Sequence, residues 1–334
     1  MTNIRQVAER ANVSVATVSR VINGSGYVSP ELQERVFTAM RELNYELNAA
    51  ARSLRSQETR IVGVLVPQLD HPFFSALSYA IERTFAKHGY NIFICSAEED
   101  SNKEKDYTLM MLRQRVDGVI IGPTGYSEAN LKKLLEQDIP VVLVDRDFPE
   151  LEVNRVVTNN FKGGYDGARH LFELGHRHIG VIGAHEYSGA RAQRTNGLLQ
   201  AFADFAPDNH PTLMLSSQLH QFEQGYDNTK QLLQQNPDLT AIFALTDVLA
   251  VGALRAANEI GLRVPQDISI IGFDDIALAS FVVPQLTTVA QPIYSIGETA
   301  ARILLRHMVD TGQPAEAVEF DTQLIVRAST APPP

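Results

Sequence analysis

From residue 61 onward, short β-branched and aliphatic runs alternate with stretches of helical period. This alternation restricts the chain more than any other feature. The runs are "RIVGVLVP", "YNIFICSA", "VDGVIIGP", "PVVLVD", "HIGVIGA", "TLMLSS", "TAIFALTD" and "ISIIGFDD", and helix-period segments separate them at about 73–88, 101–115, 161–174, 190–205 and 247–260. A strand that is apolar at every position must be buried on both faces, which happens in parallel sheets covered by crossover helices. Eight such units exceed one compact sheet of this kind, so the α/β body is predicted to form two similar, doubly wound subdomains.

Open parallel sheets bind ligands beyond the carboxyl ends of their strands. The residues expected there are Gln68 to Phe74, Asp145 and Arg146, Asn159 and Asn160, Thr246 and Asp247, Asp274 and Asp275, and Gln291. Carboxylates and amides bond paired hydroxyls, and aromatic faces cover C–H surfaces, so this set reads as a sugar site. Asp145 and Gln291 are expected in or beside the first subdomain, and Asp274 in the second. Asp247, at a helix start, is read as an N-cap, Asp275 as structural and Arg191 as an exposed helix residue. His176 and His178 in "ELGHRHIG" are read as a helix-end turn, because no third ligand has metal spacing.

The first 60 residues follow a different pattern. Ile4, Val7, Ala8 and Ala11 keep helical spacing behind Thr2 as a cap, and Ser14 is placed to cap a second helix. Val18 and Ile22 face inward there, while Ala16, Arg20 and Asn23 share another face. After "NGSGYVSP", Ser29 and Pro30 open a third helix with a stripe of Leu32, Val36, Ala39, Met40 and Leu43. Two short helices joined by a tight turn over a third form a helix-turn-helix unit, whose second helix fits the DNA major groove. Charge agrees with this division. Residues 1–60 carry 8 Arg against 6 Glu, a net of +2, whereas the remainder holds 21 basic and 33 acidic residues, a net of −12. A mildly basic head on an acidic body suits one small module that meets phosphate.

"IRQVAERANVSVATVSRVING…VSPELQERVFTAMRELNYELNAAARSL" resembles the head of the lactose-repressor (LacI/GalR) family of bacterial transcription regulators. The resemblance extends over essentially the whole chain. It implies base reading by Val15, Ala16 and Arg20, and phosphate contact or positioning by Thr17, Ser19, Asn23 and Tyr27. "NAAARSL" matches the family's hinge helix, with Asn48 at its start and Leu54, supported by Ala51, as a minor-groove wedge. Leu47 stands where the family usually has Pro. The body resembles ribose-class periplasmic sugar-binding proteins. By that resemblance Phe73 and Phe74 stack on a sugar ring, Asp145, Arg146, Asp274 and Gln291 bond its hydroxyls, and Arg194 contacts ligand. Three positions depart from the pattern: His71 and Thr246 replace Asn, and His220 falls on the usual aromatic wall. The implied organisation is a DNA-binding domain at 1–46, a hinge helix and linker at 47–59, and a ligand-binding and dimerisation core at 60–334. Subdomain one takes about 60–160 and 292–320, and subdomain two about 161–291 and 321–330.

The expected function is a transcription repressor of a sugar-utilisation operon, with operator DNA and a small sugar or sugar-phosphate as partners and no cofactor. "VRASTAPPP" carries no heptad, so a homodimer is expected. No apolar run reaches the roughly 18 residues of a membrane span, and "MTNIRQVAER" has no signal-peptide core. Cys95 is the single cysteine. Together these features point to the cytoplasm. An exported sugar-binding transport protein would share the body but lack the head. An enzyme with Asp145 and Asp274 as an acid/base pair finds no further support, since "GxxxxGK[ST]", "HExxH" and "GxSxG" are all missing.

Overall fold

The computed structural model describes residues 3–23, 26–45, 58–124, 128–148, 150–184, 189–215, 221–310 and 312–334. Two compact units, Met1–Thr59 and Arg60–Pro334, divide the chain.

In the first unit, α1 (Ile4–Ala11), α2 (Val15–Asn23) and α3 (Pro30–Glu42) surround Val7, Ala8, Ala11, Val18, Val36 and Ala39. The cap of α1 falls one residue later than Thr2. Asn3 Oδ1 accepts from the Arg5 and Gln6 amides at 3.0 and 3.1 Å, and Gln6 Oε1 accepts from the Asn3 amide at 2.9 Å. This reciprocal pair satisfies donors that Thr2 alone would leave open. Ser14 Oγ accepts from the Thr17 amide at 3.0 Å, and Ser29 Oγ from the Leu32 amide at 3.4 Å. Both fulfil the expected starts of α2 and α3. The turn between α1 and α2 is fastened by Arg35, whose guanidinium donates to the Ala11 and Asn12 carbonyls at 2.7 and 3.2 Å.

The second unit contains two six-stranded sheets. Its strands are β1 (Ile61–Val66), β2 (Asn91–Ser96), β3 (Gly118–Ile121), β4 (Val141–Val144), β5 (Asn154–Thr158), β6 (Ile179–Ala184), β7 (Thr212–Leu215), β8 (Ala241–Ala244), β9 (Ser269–Asp274), β10 (Thr287–Ala290), β11 (Ala317–Phe320) and β12 (Gln323–Ile325). The first sheet runs β11-β5-β4-β3-β1-β2 and the second β12-β10-β9-β8-β6-β7. All pairs are parallel except β10 with β12. The central strands β3, β4, β6, β8 and β9 are buried at every position. The covering helices are α4 (Pro72–Ala86), α5 (Ser101–Gln114), α6 (Ala129–Leu135), α7 (Asn160–Glu173), α8 (Gly189–Phe205), α9 (Gln221–Gln235), α10 (Asp247–Glu259) and α11 (Ile293–Val309).

The eight apolar runs form β1–β4 and β6–β9. Sequence periodicity did not supply β5, β10, β11 and β12, nor α6, α9 and α11. Strands β11 and β12 lie at sheet edges and are only half-buried, so they lack the continuous apolar signature. The polar composition of α9 hides its period, whereas the stripe Ile293, Ile296, Ala300, Ile303 and Leu304 in α11 is a clear one. The chain passes between the sheets after β5, after β10 and between β11 and β12.

Helices α7 and α8 approach backbone to backbone. A Cβ on Gly164 would lie 2.0 Å from the Arg194 carbonyl oxygen, and one on Gly197 1.9 Å from that of Phe161. Ordinary contact, at 3.4 Å or beyond, requires each Cβ and its facing carbonyl to separate by about 1.4 Å or more. An alanine in a helix is intrinsically favoured over glycine by about 1 kcal/mol, but overpacking costs about 1–3 kcal/mol. Gly164→Ala and Gly197→Ala are therefore expected to destabilise the core in urea denaturation despite their higher helix propensity. A raised urea midpoint for either variant would contradict this packing.

Candidate functional site

On the head, the structure leaves Val15, Ala16 and Arg20 exposed on one side of α2, with Val18 buried opposite them. Thr17 Oγ1 lies 2.8 Å from Ser14 Oγ, so its hydroxyl is engaged in the cap before any DNA contact. Ser19 is partly buried, and Tyr27, just before α3, is 88% exposed. Asn23 closes α2. The hinge residues Asn48, Ala51 and Leu54 lie outside the described residues, as does His220.

In the core, the carboxyl ends of both sheets border one cavity of about 50 Å³. From the first sheet come His71, Phe73 and Phe74, Asp145 and Arg146, with Gln68 and Glu99. From the second come Arg194, Thr246 and Asp274, with Ala190 and Arg191. These positions follow from the topology. Chain order reverses direction around β1/β3 in one sheet and β6/β8 in the other, and the turns beyond those strands leave a crevice.

Local structure fixes each side chain. His71 caps α4, with Nδ1 accepting from the Phe73 amide at 3.2 Å, and its ring meets that of Phe74 edge-on at 5.8 Å. Phe73 and Phe74 form a T-shaped pair at 5.1 Å. Thr246 caps α10, its hydroxyl accepting from the Leu249 amide at 3.3 Å. It takes the cap role assigned to Asp247, which is buried instead and accepts from Thr288 Oγ1 at 2.6 Å and the Ile276 amide at 2.9 Å. Asp275 is structural, as expected, and accepts from Arg327 at 2.7 Å. His176, beyond α7, lies 2.9 Å from Thr240 Oγ1 and 2.8 Å from the Ala331 carbonyl. It fastens a helix-end turn.

Arg194 is a buried residue of the cavity wall. Its Nε donates to Asn160 Oδ1 at 2.8 Å and its Nη1 to the Leu245 carbonyl at 2.6 Å, with Asp274 Oδ1 at 3.4 Å. The guanidinium carbon stands 3.8 Å from the centroid of the Phe273 ring. Asn160 thus supports Arg194, while Asn159 caps α7 by accepting from the Lys162 amide at 3.0 Å. Gln291 departs from the sequence expectation. It closes β10 in the second sheet and donates to Asp274 Oδ1 at 2.7 Å, so it orients a lining carboxylate from behind.

The acids here are poorly solvated. Burial pushes Asp274 up to about 6, although Arg194 and the Gln291 bond pull it down. Burial also raises Asp145 and Glu99, each partly offset by neighbouring arginines. Asp145 and Asp274 hold φ of 66° and 116°, conformations that L-residues rarely adopt and that cluster at functional sites. Asp274 Oδ2 has no hydrogen-bond partner among the described residues. Sequence reasoning missed Glu99 and misplaced Arg191, which is partly buried on the cavity wall rather than exposed. Applying the strand-end rule to β2 as well would have found Glu99.

Comparison with known proteins agrees with both units. Residues 3–48 match bacterial regulatory proteins of the lacI family, and residues 168–330 match a periplasmic binding protein-like domain. The HTH-type transcriptional repressor PurR of Salmonella paratyphi A is 38% identical over 336 residues, spanning 100% of this chain and 98% of its own. The lac repressor dimer bound to operator and the anti-inducer ONPF is 27% identical, with a TM-score of 0.87 over 99% of each chain. A LacI family transcriptional regulator from Enterococcus faecium with bound ribose is 32% identical, with a TM-score of 0.75 over 81% of this chain and 99% of that one. Among the described residues, no helix is long and apolar enough to cross a membrane. The chain belongs to the LacI family of bacterial regulatory proteins: it is a DNA-binding transcriptional repressor under small-molecule control, and not an enzyme.

Proposed function

We propose that this repressor acts in the cytoplasm as a homodimer on the operator of a sugar-utilisation operon, and that a small sugar bound between the two sheets controls its DNA affinity. The carrying observation is the cavity itself, where Asp145, Asp274 and Arg194 line one space with Phe73 and Phe74. Carboxylates accept from sugar hydroxyls, guanidinium groups donate to them, and aromatic rings cover the C–H face. The E. faecium relative with bound ribose supports a sugar. A molecule bonded from both sheets alters their relative closure through its differential affinity for the two arrangements. The same reading assigns residues 1–46 to DNA binding, 47–59 to the hinge helix and linker, and 60–334 to ligand binding and dimerisation. It also assigns hinge roles to Asn48, Ala51 and Leu54.

On DNA, Val15, Ala16 and Arg20 are assigned base contacts, and Thr17, Ser19, Asn23 and Tyr27 phosphate contacts or positioning. Small residues at the start of α2 permit close approach to base edges. Arg20→Ala is expected to weaken specific operator binding by about 1–3 kcal/mol, and larger polar residues at 15 and 16 to change the preferred sequence. Footprinting and selection from random operators measure both effects. An unchanged preference in the double variant at 15 and 16 removes α2 as the reader.

Asp274 provides the test of the effector site. Its unpartnered Oδ2 is assigned as the acceptor for a sugar hydroxyl, and each such charged bond contributes about 1.5–3 kcal/mol. Asp274→Ala is therefore expected to lower sugar affinity by roughly tenfold or more and to uncouple operator binding from the sugar. Normal sugar and DNA titrations for this variant would move the pocket elsewhere.

The pH dependence has a definite sign. The folded-state value of Asp274, about 6, exceeds the ordinary 3.8, so this group costs the unliganded fold stability as pH rises through 6. A hydroxyl donated to the carboxylate lowers that value, so binding releases a proton. Calorimetry is expected to show affinity rising from pH 5 toward 7 and then levelling. Constant affinity across that range would exclude Asp274 as the acceptor.

A further inference from the structure

Three arginines line the cavity, and two of them are already engaged. Arg146 donates to both oxygens of Glu99, at 3.0 and 3.2 Å, and both side chains are about nine-tenths buried. Arg194 is taken up by Asn160, the Leu245 carbonyl and Asp274. Arg191 differs from both. Its guanidinium lines the same cavity, yet it makes no hydrogen bond or ion pair with any described residue. Burial lowers its pKa, with Glu99 and Asp145 acting only through space to raise it. A guanidinium partly withdrawn from water with no acceptor beside it is costly, and its planar fork matches an oxyanion.

A second feature points the same way. Arg191 lies in the first turn of α8, a helix of 17 residues whose amino end opens toward the cavity at Ala190. Arg146 stands beside that end, since a Cβ on Gly189 would lie 3.9 Å from its Cγ. The amino end of a helix carries partial positive charge and free amide donors, which favour an anion. The open guanidinium and the helix end are separate sources of the same preference.

We propose that Arg191 recognises an oxyanion on the effector, a carboxylate or phosphate, so that the cavity takes an anionic sugar in preference to its neutral parent. This rests on the reading of the cavity as the effector site. In the bound state Asp274 and Asp145 accept from the sugar's hydroxyls, while the charged group sits against Arg191 at the start of α8. A neutral hydroxyl can accept a bond from Arg191 but leaves its charge uncompensated.

The test uses the full-length chain in phosphate-free buffer, with Arg191→Gln and Arg191→Lys as variants. Thermal unfolding is followed against rising inorganic phosphate or acetate. An upward shift in the unsubstituted protein, lost with Gln and partly kept with Lys, is expected. Calorimetry then compares ribose with its phosphate monoester, glucose with its phosphate monoester, and glucose with glucuronate. One anionic member is expected to bind roughly tenfold or more tightly than its parent, with the gap closed in Arg191→Gln. Which member shows the gap separates phosphate from carboxylate. An identical response of unsubstituted protein and Arg191→Gln to both salts overturns the proposal. If neutral sugars bind through Asp274 and their anionic partners bind no tighter, the sugar reading stands and this proposal falls. If the salts stabilise through Arg191 while none of the sugars binds, the oxyanion site stands and the sugar reading falls.

Discussion

The buried guanidinium of Arg194 organises the core. A desolvated charge survives in a protein interior only when hydrogen-bonded and paired, and this one is bonded to Asn160 at the start of α7 and to the Leu245 carbonyl beyond β8. Its stack on Phe273 and its approach to Asp274 bring in the end of β9. Four segments distant in sequence are thereby held together at the carboxyl end of the second sheet. The elevated pKa of Asp274, its constrained backbone and its Gln291 support all gather around that charge. Removing Arg194 would leave an unpaired carboxylate and an orphaned carbonyl, so its role is architectural as well as recognitive.

The two units use charge in opposite ways. The head exposes Arg20 beside small residues, where water and phosphate can both reach it, and fastens its turn with Arg35. The cavity hides its arginines among carboxylates whose pKa values burial raises and the arginines lower. Fields from exposed charges are screened over about 8 Å in physiological salt, whereas those in the cavity are screened much less. Operator binding should therefore respond to ionic strength and effector binding to the detailed geometry of donors and acceptors.

Much of this was legible in the sequence, for physical reasons. Strands buried on both faces are written as continuous apolar runs, so β1, β3, β4, β6, β8 and β9 were plain. The half-exposed edges β11 and β12 carry no such signature. Helix starts were legible where a hydroxyl precedes a helical stripe, as at Ser14 and Ser29, but a reciprocal cap such as Asn3 with Gln6 depends on two positions at once. The site followed from the strand-end rule, which depends on chain direction alone. What the rule cannot supply is which polar group faces the ligand and which supports another group. Gln291 lay at a predicted position but behind Asp274, and Arg191 looked like an ordinary surface residue until the other sheet was placed beside it.

The backbone contact between α7 and α8 bears on how such a regulator can change its ligand. Gly164 and Gly197 let the two helix backbones meet with no side chain at either glycine, and one of the two points of approach is the carbonyl of Arg194 itself. The frame is therefore independent of the residues that line the cavity one turn earlier, at Ala190 and Arg191. Arg191, only partly buried, can be exchanged without repacking the helix pair. Specificity can thus drift through point substitutions at the mouth of α8 while the two glycines preserve the fulcrum, an arrangement that separates evolvability from stability within a single helix.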